Sequence, residues 1–345
     1  VVYYRIRLIM LYPLIKNLLF TLDPERAHAL TLNSLQQLEK SGVLSLTCTD
    51  LQDSPVELMG LKFRNRVGIA AGLDKNAVCI DALSALGAGH VEIGTVTPRP
   101  QQGNAKPRVF RLPGAQALIN RMGFPNEGMD AVLPRLAARK HQAICGANIG
   151  KNASTPLEQA TQDYLACMRT LAPQADYITI NVSSPNTLGL RNLQATDYLR
   201  PMLLALLEER ARLLPALGRG LPLLVKIAPD LSDDELYSMA DLFLELRIDG
   251  VVATNTTLSR PTGLGSSSEQ AGGLSGRPVH SLSLATVSKL RQRLGQGFPI
   301  IGVGGISCAD EARAMRHAGA DLVQIYTGLI YRGPGLIKEV ADALR

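Results

Sequence analysis

The sequence predicts an α/β fold, a (β/α)8 TIM barrel with an N-terminal amphipathic two-helix extension, and three observations carry that expectation. Eight short apolar runs recur between Val67 and Ile325, each followed by a polar or glycine-rich turn and then a helical stretch. Strand and helix alternate, which predicts parallel neighbours, and eight such units over about 280 residues suit a closed barrel better than an open doubly wound sheet. Two helical stretches come before the first of these units.

Composition agrees with one large folded body. Of 345 residues, 46% are hydrophobic and 19% charged, enough to bury a sizeable core and too apolar for disorder. Tryptophan is absent and aromatics make up 4%, which argues against nucleic-acid modules built on aromatic stacking platforms. A net charge of +6 suits an anionic small substrate or an anionic membrane surface without choosing between them. The five cysteines, Cys48, Cys79, Cys145, Cys167 and Cys308, show no CxxC spacing and no histidine partner, so a reducing compartment and no metal site are expected.

Residues 1–9 precede Met10 and read as an extension the fold does not need. LYPLIKNLLF follows as a proline-led helix, and Arg7, Pro13, Lys16 and Asn17 interrupt the apolar stretch 6–22 before the ~20 residues that spanning a bilayer takes. Asp23-Pro24-Glu25 then supplies an N-cap, a proline at the first helical position and an acid in the first turn. Ala27, Leu30, Leu35 and Leu38 make one apolar face, and Gly42 closes the helix. The pair either packs wholly on the main domain or presents apolar surface to a membrane or a ligand tunnel, and the residues alone leave both open.

VELMGLKFRNR, from Val56, reads as a hairpin. The expected barrel strands are Val67–Ala71, Val91–Thr95, Ile144–Ile149, Tyr177–Val182, Leu223–Ile227, Val251–Thr254, Ile300–Val303 and Leu322–Ile325. The Gly- and Ser-rich stretch 259–276 reads as a long mobile loop.

In such a barrel the chemistry lies at the carboxyl ends of the strands. Those ends carry Gly72, Asp74, Lys75 and Asn76; Thr95; Asn148; Asn181, Ser184 and Asn186; Lys226; Thr254, Asn255 and Thr256. The last two carry GVGGI (302–306) and IYTG (325–328), small residues whose backbone N–H groups suit a phosphorylated cofactor. Amides dominate, and a neutral donor–acceptor pair complements a uracil-like ring edge. None of His28, His90, His141, His280 and His317 falls at a strand end, which speaks against a Ser-His-Asp triad. Within DYITINVSSPNTLGL (176–190) an apolar strand ends at Asn181 and delivers Ser184 into a turn fixed by Pro185.

Nine segments in order closely resemble the dihydroorotate dehydrogenases of class 2, the membrane-associated, quinone-using group. They are AAGLDKN (70–76), EIGTVTPRPQ (92–101), NRMGFPN (120–126), INVSSPNT (180–187), KIAPDL (226–231), ATNTT (253–257), GGLSGRP (272–278), GVGGI (302–306) and QIYTG (324–328). The resemblance runs from about Met10 to the C-terminus and implies FMN-dependent oxidation of dihydroorotate to orotate in pyrimidine synthesis. Ser184 would be the base taking the C5 proton while the C6 hydride passes to the flavin, with Thr187 or a water as relay. Serine here also separates the chain from soluble class 1 enzymes, which place cysteine at this position and lack the helix pair.

By the same resemblance Lys75, Asn120, Arg121, Met122, Gly123, Phe124, Asn181, Asn186, Asn255 and Thr256 would hold the substrate. FMN would be held by Ala71, Gly72, Leu73, Asp74, Lys75, Thr95, Asn148, Asn181, Lys226, Thr254, Gly276, Gly305, Tyr326 and Thr327, with Lys226 stabilising negative charge on the reduced flavin. Residues 1–45 would form the extension and a hydrophobic quinone tunnel, with His28, Arg111 and Tyr326 at its inner end, and residues 46–345 the FMN barrel. No transit peptide or spanning helix precedes the barrel, so the expectation is a monomeric bacterial enzyme, peripheral on the cytoplasmic face of the inner membrane, binding no nucleic acid. A tRNA dihydrouridine synthase is the nearest rival, but it would use cysteine as its acid and add an RNA-binding domain. A flavin-free barrel acting as a peripheral binding protein is the rival from another class, and a colourless preparation would favour it.

Overall fold

The computed structural model describes residues 2–44, 53–140, 143–187, 189–264 and 266–345. The expected boundary at residues 45 and 46, together with Cys48 and His141, lies outside the described residues. Eight parallel strands close into a barrel. In chain order they are β3 (Val67–Ile69), β4 (His90–Val96), β7 (Ile144–Ile149), β8 (Tyr177–Asn181), β9 (Leu223–Ile227), β10 (Gly250–Ala253), β12 (Ile300–Val303) and β13 (Leu322–Ile325). Each pairs with the next, and β13 returns to β3 with Val323 opposite Val67, so the barrel has no free edge. Helices between the strands cover the outside with apolar faces that include Tyr164, Met168, Leu203 and Phe243, all buried. The Ser232–Glu235 capping box opens one of them, Asp233–Glu245.

The hairpin expected near Val56 is present as β1 (Val56–Leu58) and β2 (Leu61–Phe63), and it plugs the amino end of the barrel. Phe63 is fully buried there, edge-on to the His90 ring at 5.4 Å between centroids. His90 has no room to move aside, because a Cβ on Gly68 would lie 2.1 Å from its ring. Burial holds the His90 imidazole down at about 3, so it stays neutral. Phe63→Ala should therefore lower unfolding stability by about 3–5 kcal/mol, read as a shift of the guanidinium chloride midpoint, because a fully buried ring leaves a void in the barrel floor.

One expectation is corrected. The stretch 259–276 is not one continuous loop, since β11 (Gly273–Gly276) pairs with β6 (Ala117–Asn120), which pairs in turn with β5 (Val109–Leu112) in a small antiparallel sheet. These strands have four residues each, and β11 joins partners far away in sequence, so no local pattern announced the sheet. It stands at the carboxyl mouth of the barrel, where Val109, Leu118, Ser275 and Gly276 reach the central cavity. At the N-terminus helix α1 runs Val2–Thr21, so residues 2–9 are helical and continuous with the proline-led stretch.

Helix α2 (Pro24–Lys40) starts where the sequence places it, with the Asp23 carboxylate accepting from the N–H groups of Glu25 and Arg26. It is amphipathic, burying Ala27 and Leu32 on the barrel. Helix α1 is apolar on both sides. Phe20 packs edge-on against Tyr331 at 5.4 Å, and the Tyr12 hydroxyl donates to the Ile330 carbonyl at 2.6 Å. On the outer side Leu11, Leu14, Ile15, Leu18 and Leu22 form one exposed stripe, Leu14 and Leu18 being 67% and 70% accessible. No helix among the described residues is long and apolar enough to cross a membrane.

Candidate active site

Where the strands end, the backbone turns outward and leaves a cavity of about 1240 Å3, counting the part open to solvent. Most of the expected site residues line it: Ala71, Gly72, Lys75, Thr95, Asn120, Met122, Gly123, Phe124, Asn181, Ser184, Asn186, Lys226, Thr254, Asn255, Thr256, Gly276, Gly305, Tyr326 and Thr327. Six of the expected residues do not. Leu73 belongs to the hydrophobic core. The buried Asp74 carboxylate accepts from the N–H groups of Asn76, Val78 and Cys79, which fixes the loop that aims Lys75. Asn148 lies one layer deeper, between Thr95 and Asn181. Arg121 turns to the rim, donating to the carbonyls of Pro107 and Ala271 and stacking on Phe110 at 4.7 Å. His28 and Arg111 belong to the helix-pair side of the barrel.

Ser184 is 5% exposed, on the turn after β8, and its Oγ accepts from the Asn186 N–H at 3.3 Å. The hydroxyl is held while its own proton remains free to point elsewhere. Asn186 donates through Nδ2 to Asn120 Oδ1 at 3.1 Å, and its carbonyl accepts from Asn104 at 3.1 Å, so two loops and the end of β6 meet at the serine turn. The Thr187 hydroxyl is buried without a partner. Phe124 adopts φ of 55°, a left-handed conformation that bulky residues rarely hold, and it follows Gly123 at 70°. This paired turn carries the Phe124 ring to the cavity wall beside Gly150, where an added Cβ would lie 3.1 Å from it.

Two ammonium groups face the cavity. Lys75 donates to the Gly72 carbonyl at 2.7 Å and is pulled down to about 8, chiefly by burial, with Glu25 and Asp74 opposing the shift. Burial also lowers Lys226, and Glu92 at 3.9 Å counters it. A buried cation whose nearest counter-charge stands 3.9 Å away is costly unless a further anion or dipole meets it. Thr254 shares a 2.8 Å hydrogen bond with Ser283, and the Thr256 hydroxyl is buried without a partner. Among the described residues no group of three or more His, Cys, Asp or Glu is arranged to hold a metal.

The Arg111 guanidinium closes the end of α1, donating to the carbonyls of Phe20 at 3.2 Å and Leu22 at 2.7 Å and lying 4.6 Å over the Phe20 ring. The Tyr326 hydroxyl donates to the Gly72 carbonyl at 3.3 Å, and burial raises its phenol to about 12. His28 is held down to about 3 by burial, with the Lys75 charge adding to the effect. Sequence reasoning passed over Gln324 and Glu92, although both stand inside quoted segments. Their polar ends are hidden in otherwise apolar strands, and only the inward pointing of alternate barrel residues reveals them.

A closed barrel with a cavity of amides, two lysines and one held serine at its carboxyl mouth is a (β/α)8-barrel enzyme. The family profile described as dihydroorotate dehydrogenase matches residues 54–345. A protein of Paraburkholderia xenovorans strain LB400, named dihydroorotate dehydrogenase (quinone), is 52% identical over 336 residues, 97% of this chain and 99% of that protein. One of the same name from Bordetella avium strain 197N is 53% identical over 338 residues, 97% of each. The crystal structure of DHODH from Eimeria tenella in complex with ferulenol superposes with a TM-score of 0.86 at 40% identity, covering 93% of this chain and 90% of that one. The chain belongs to the dihydroorotate dehydrogenase family, in its quinone-dependent class.

Proposed function

We propose that this chain oxidises dihydroorotate to orotate for pyrimidine synthesis, with FMN as its flavin, Ser184 as the base and a membrane quinone as the final electron acceptor. The observation that carries the reading is Ser184 held in the cavity wall by Asn186, with no histidine needed to fix it. The donor set fits FMN. Lys226 brings a positive charge to a low-dielectric wall, Thr95 and Asn181 form a polar wall beside it, locked by the bond from Asn181 Nδ2 to Thr95 Oγ1, and Gly304 and Gly305 bring backbone close at φ values of 138° and 71°. Bound there, FMN supplies the two-electron acceptor that the side chains lack.

The protein's own work is then to orient and to move a proton. The ammonium of Lys75 meets the substrate carboxylate, while Asn120, Asn186 and Asn255 complement the edges of its ring. Ser184 Oγ takes the proton from C5 as its own hydroxyl proton passes to the Thr187 hydroxyl or a relay water, and the turn 184–187 with the Phe124 wall keeps bulk water from competing. Met122, Gly123, Phe124 and Thr256 shape the rest of that pocket, and Arg121 braces its rim. Asn148 and Asp74 support the flavin side from behind, with Ala71, Gly72, Leu73, Thr254, Gly276, Tyr326 and Thr327.

Helices α1 and α2, within a unit of residues 1–45, form the quinone entrance to the barrel unit 46–345, ending at His28, Arg111 and Tyr326. The exposed Leu stripe on α1 rests on the membrane surface, which makes the monomer a peripheral protein of the cytoplasmic face of a bacterial inner membrane.

The test is the visible spectrum of the purified protein before and after dihydroorotate is added without air. A yellow protein that bleaches is expected, and a colourless or unresponsive one overturns the reading. The charge on Lys75 gives a second check. Its value of about 8 lies below the usual 10.5, so the ammonium is present below about pH 8 and lost above it. The kcat/KM for dihydroorotate should therefore fall by about tenfold per pH unit above that point, since kcat/KM reports the free enzyme. A flat profile to about pH 9.5 removes Lys75 from carboxylate recognition.

A further inference from the structure

Beneath the cavity, inside the barrel, lies a carboxylate with no part in the reading above. Glu92 on β4 is fully buried. Its Oε2 accepts from Gln324 Nε2 at 3.0 Å, Thr179 Oγ1 at 3.1 Å and the Tyr177 hydroxyl at 3.3 Å. Its Oε1 accepts from Asn148 Nδ2 at 2.8 Å and stands 3.9 Å from Lys226 Nζ.

An ionised carboxylate accepts and cannot donate, whereas an asparagine amide is nearly the same shape in either of its two orientations. Glu92 removes that ambiguity at the first amide. Asn148 has to turn its NH2 group down, so its Oδ1 faces up, where it accepts from the Thr95 hydroxyl at 2.5 Å and Asn181 Nδ2 at 3.1 Å. Asn181 is thereby committed in turn. Its Oδ1 faces away, accepting from Ser183 Oγ at 3.2 Å and Asn255 Nδ2 at 3.4 Å, while Asn255 Oδ1 accepts from the Thr256 N–H at 2.8 Å. Reversing Asn148 would set its carbonyl against the Glu92 carboxylate and its NH2 against that of Asn181, and reversing Asn181 would set its carbonyl against that of Asn148.

We propose that Glu92 is a positioning residue that fixes the donor–acceptor polarity of the row Asn148–Asn181–Asn255, and with it the pattern of hydrogen-bonding groups shown to the ring in the cavity. The proposal rests on the reading of Asn181 and Asn255 as substrate and flavin amides. Glu92 touches neither substrate nor flavin in this scheme; it acts on the amide row through Asn148 and, at 3.9 Å, also faces the Lys226 ammonium.

E92Q keeps the shape but offers a donor beside an acceptor, so Asn148 can reverse. Orotate binding, read from its perturbation of the bound flavin's visible spectrum, should weaken about 10- to 100-fold, the penalty for a mismatched buried polar pair. The double variant E92Q/N148D moves the acceptor-only group up one place. The side-chain amide introduced at position 92 can then donate to the new carboxylate at position 148, whose second oxygen still accepts from Asn181; total charge is unchanged, and the new carboxylate keeps a charge partner near Lys226. Its orotate affinity should recover most of the loss. Wild-type affinity in E92Q, or a double variant no tighter than E92Q, overturns the proposal.

If neither variant folds, a neutron structure of the deuterium-exchanged wild-type protein decides: deuterons of Asn148 on the Glu92 side support the proposal, and the reverse orientation overturns it. A wild-type flavin spectrum that orotate does not move is a different failure. It defeats the substrate reading, while the deuteron positions still decide whether Glu92 sets the row.

Discussion

Ser184→Ala is expected to keep flavin and substrate bound while slowing reduction of the flavin by dihydroorotate ~10²–10⁴-fold, the range that a positioned general base contributes. Binding should survive because the serine hydroxyl makes a single modest contact, accepting from the Asn186 N–H at 3.3 Å, and the turn is held by other groups. Arg191 donates to the Ser183 carbonyl at 3.1 Å and to the Thr256 carbonyl at 2.9 Å, and it pairs with Asp230 at 2.8 Å, so the loops after β8 and β10 stay joined without Ser184. The rate should fall because no other base stands ready. Lys75 is protonated below about pH 8, and His28 lies on the helix side of Leu73 with its imidazole engaged. Anaerobic stopped-flow reduction is the measurement. An unchanged rate removes Ser184 from proton transfer, whereas loss of orotate binding in the same variant would make the residue a binding group instead.

What the sequence disclosed and what it hid follow from how far each feature depends on distant contacts. The strands Ile144–Ile149, Leu223–Ile227, Ile300–Val303 and Leu322–Ile325 coincide with expectation because short, mostly apolar runs buried on both faces are bounded by turn-forming or polar segments such as Gly150, Pro229 and Gly304. The expected strand Val67–Ala71 is longer than the observed Val67–Ile69: Ala70 keeps one bond to the Ile325 carbonyl, but Ala70 and Ala71 already line the cavity, and composition does not distinguish a buried rung from a buried wall. The sheet of β5, β6 and β11 depends on a pairing across more than a hundred residues.

Side-chain direction is the least legible property. Arg121 and Phe124 stand in the same motif, yet one turns to the rim and the other to the cavity, because Gly123 and Phe124 take positive φ and swing the chain. Glu92 is hidden in an apolar strand for a related reason. A charge at that place reads as an interruption until the barrel shows five partners around it.

Removing residues 1–21 should separate the two half-reactions, sparing reduction by dihydroorotate and impairing reoxidation by quinone. The structure refines where the cut belongs. A deletion through residue 42 would take α2 as well, and α2 is built into the barrel. Glu25 makes a two-pronged ion pair with the buried Arg108 at 2.8 and 2.9 Å, and Arg108 in turn holds the carbonyls of Gln102 and Asn104 in the loop that reaches Asn186. Leu32 is core, and its carbonyl accepts from the Cys79 thiol. Losing these groups would disturb the substrate side and blur the result.

Helix α1 is attached more simply, through the Tyr12 hydroxyl on Ile330, the Phe20 ring on Tyr331 and the carbonyls of its last turn on Arg111. A cut after Thr21 leaves Asp23 to cap α2 and leaves the Glu25–Arg108 pair intact. It takes away most of the exposed leucine stripe and one wall of the proposed tunnel. Stopped-flow reduction by dihydroorotate should stay within about threefold of the full chain, while turnover with a long-chain quinone in vesicles falls about tenfold or more as apolar contact with the bilayer is lost. Ferricyanide, a polar acceptor that needs no membrane, should still reoxidise the flavin. Equal loss with all three assays would make α1 a structural brace, and equal retention would place the quinone entrance elsewhere on the barrel.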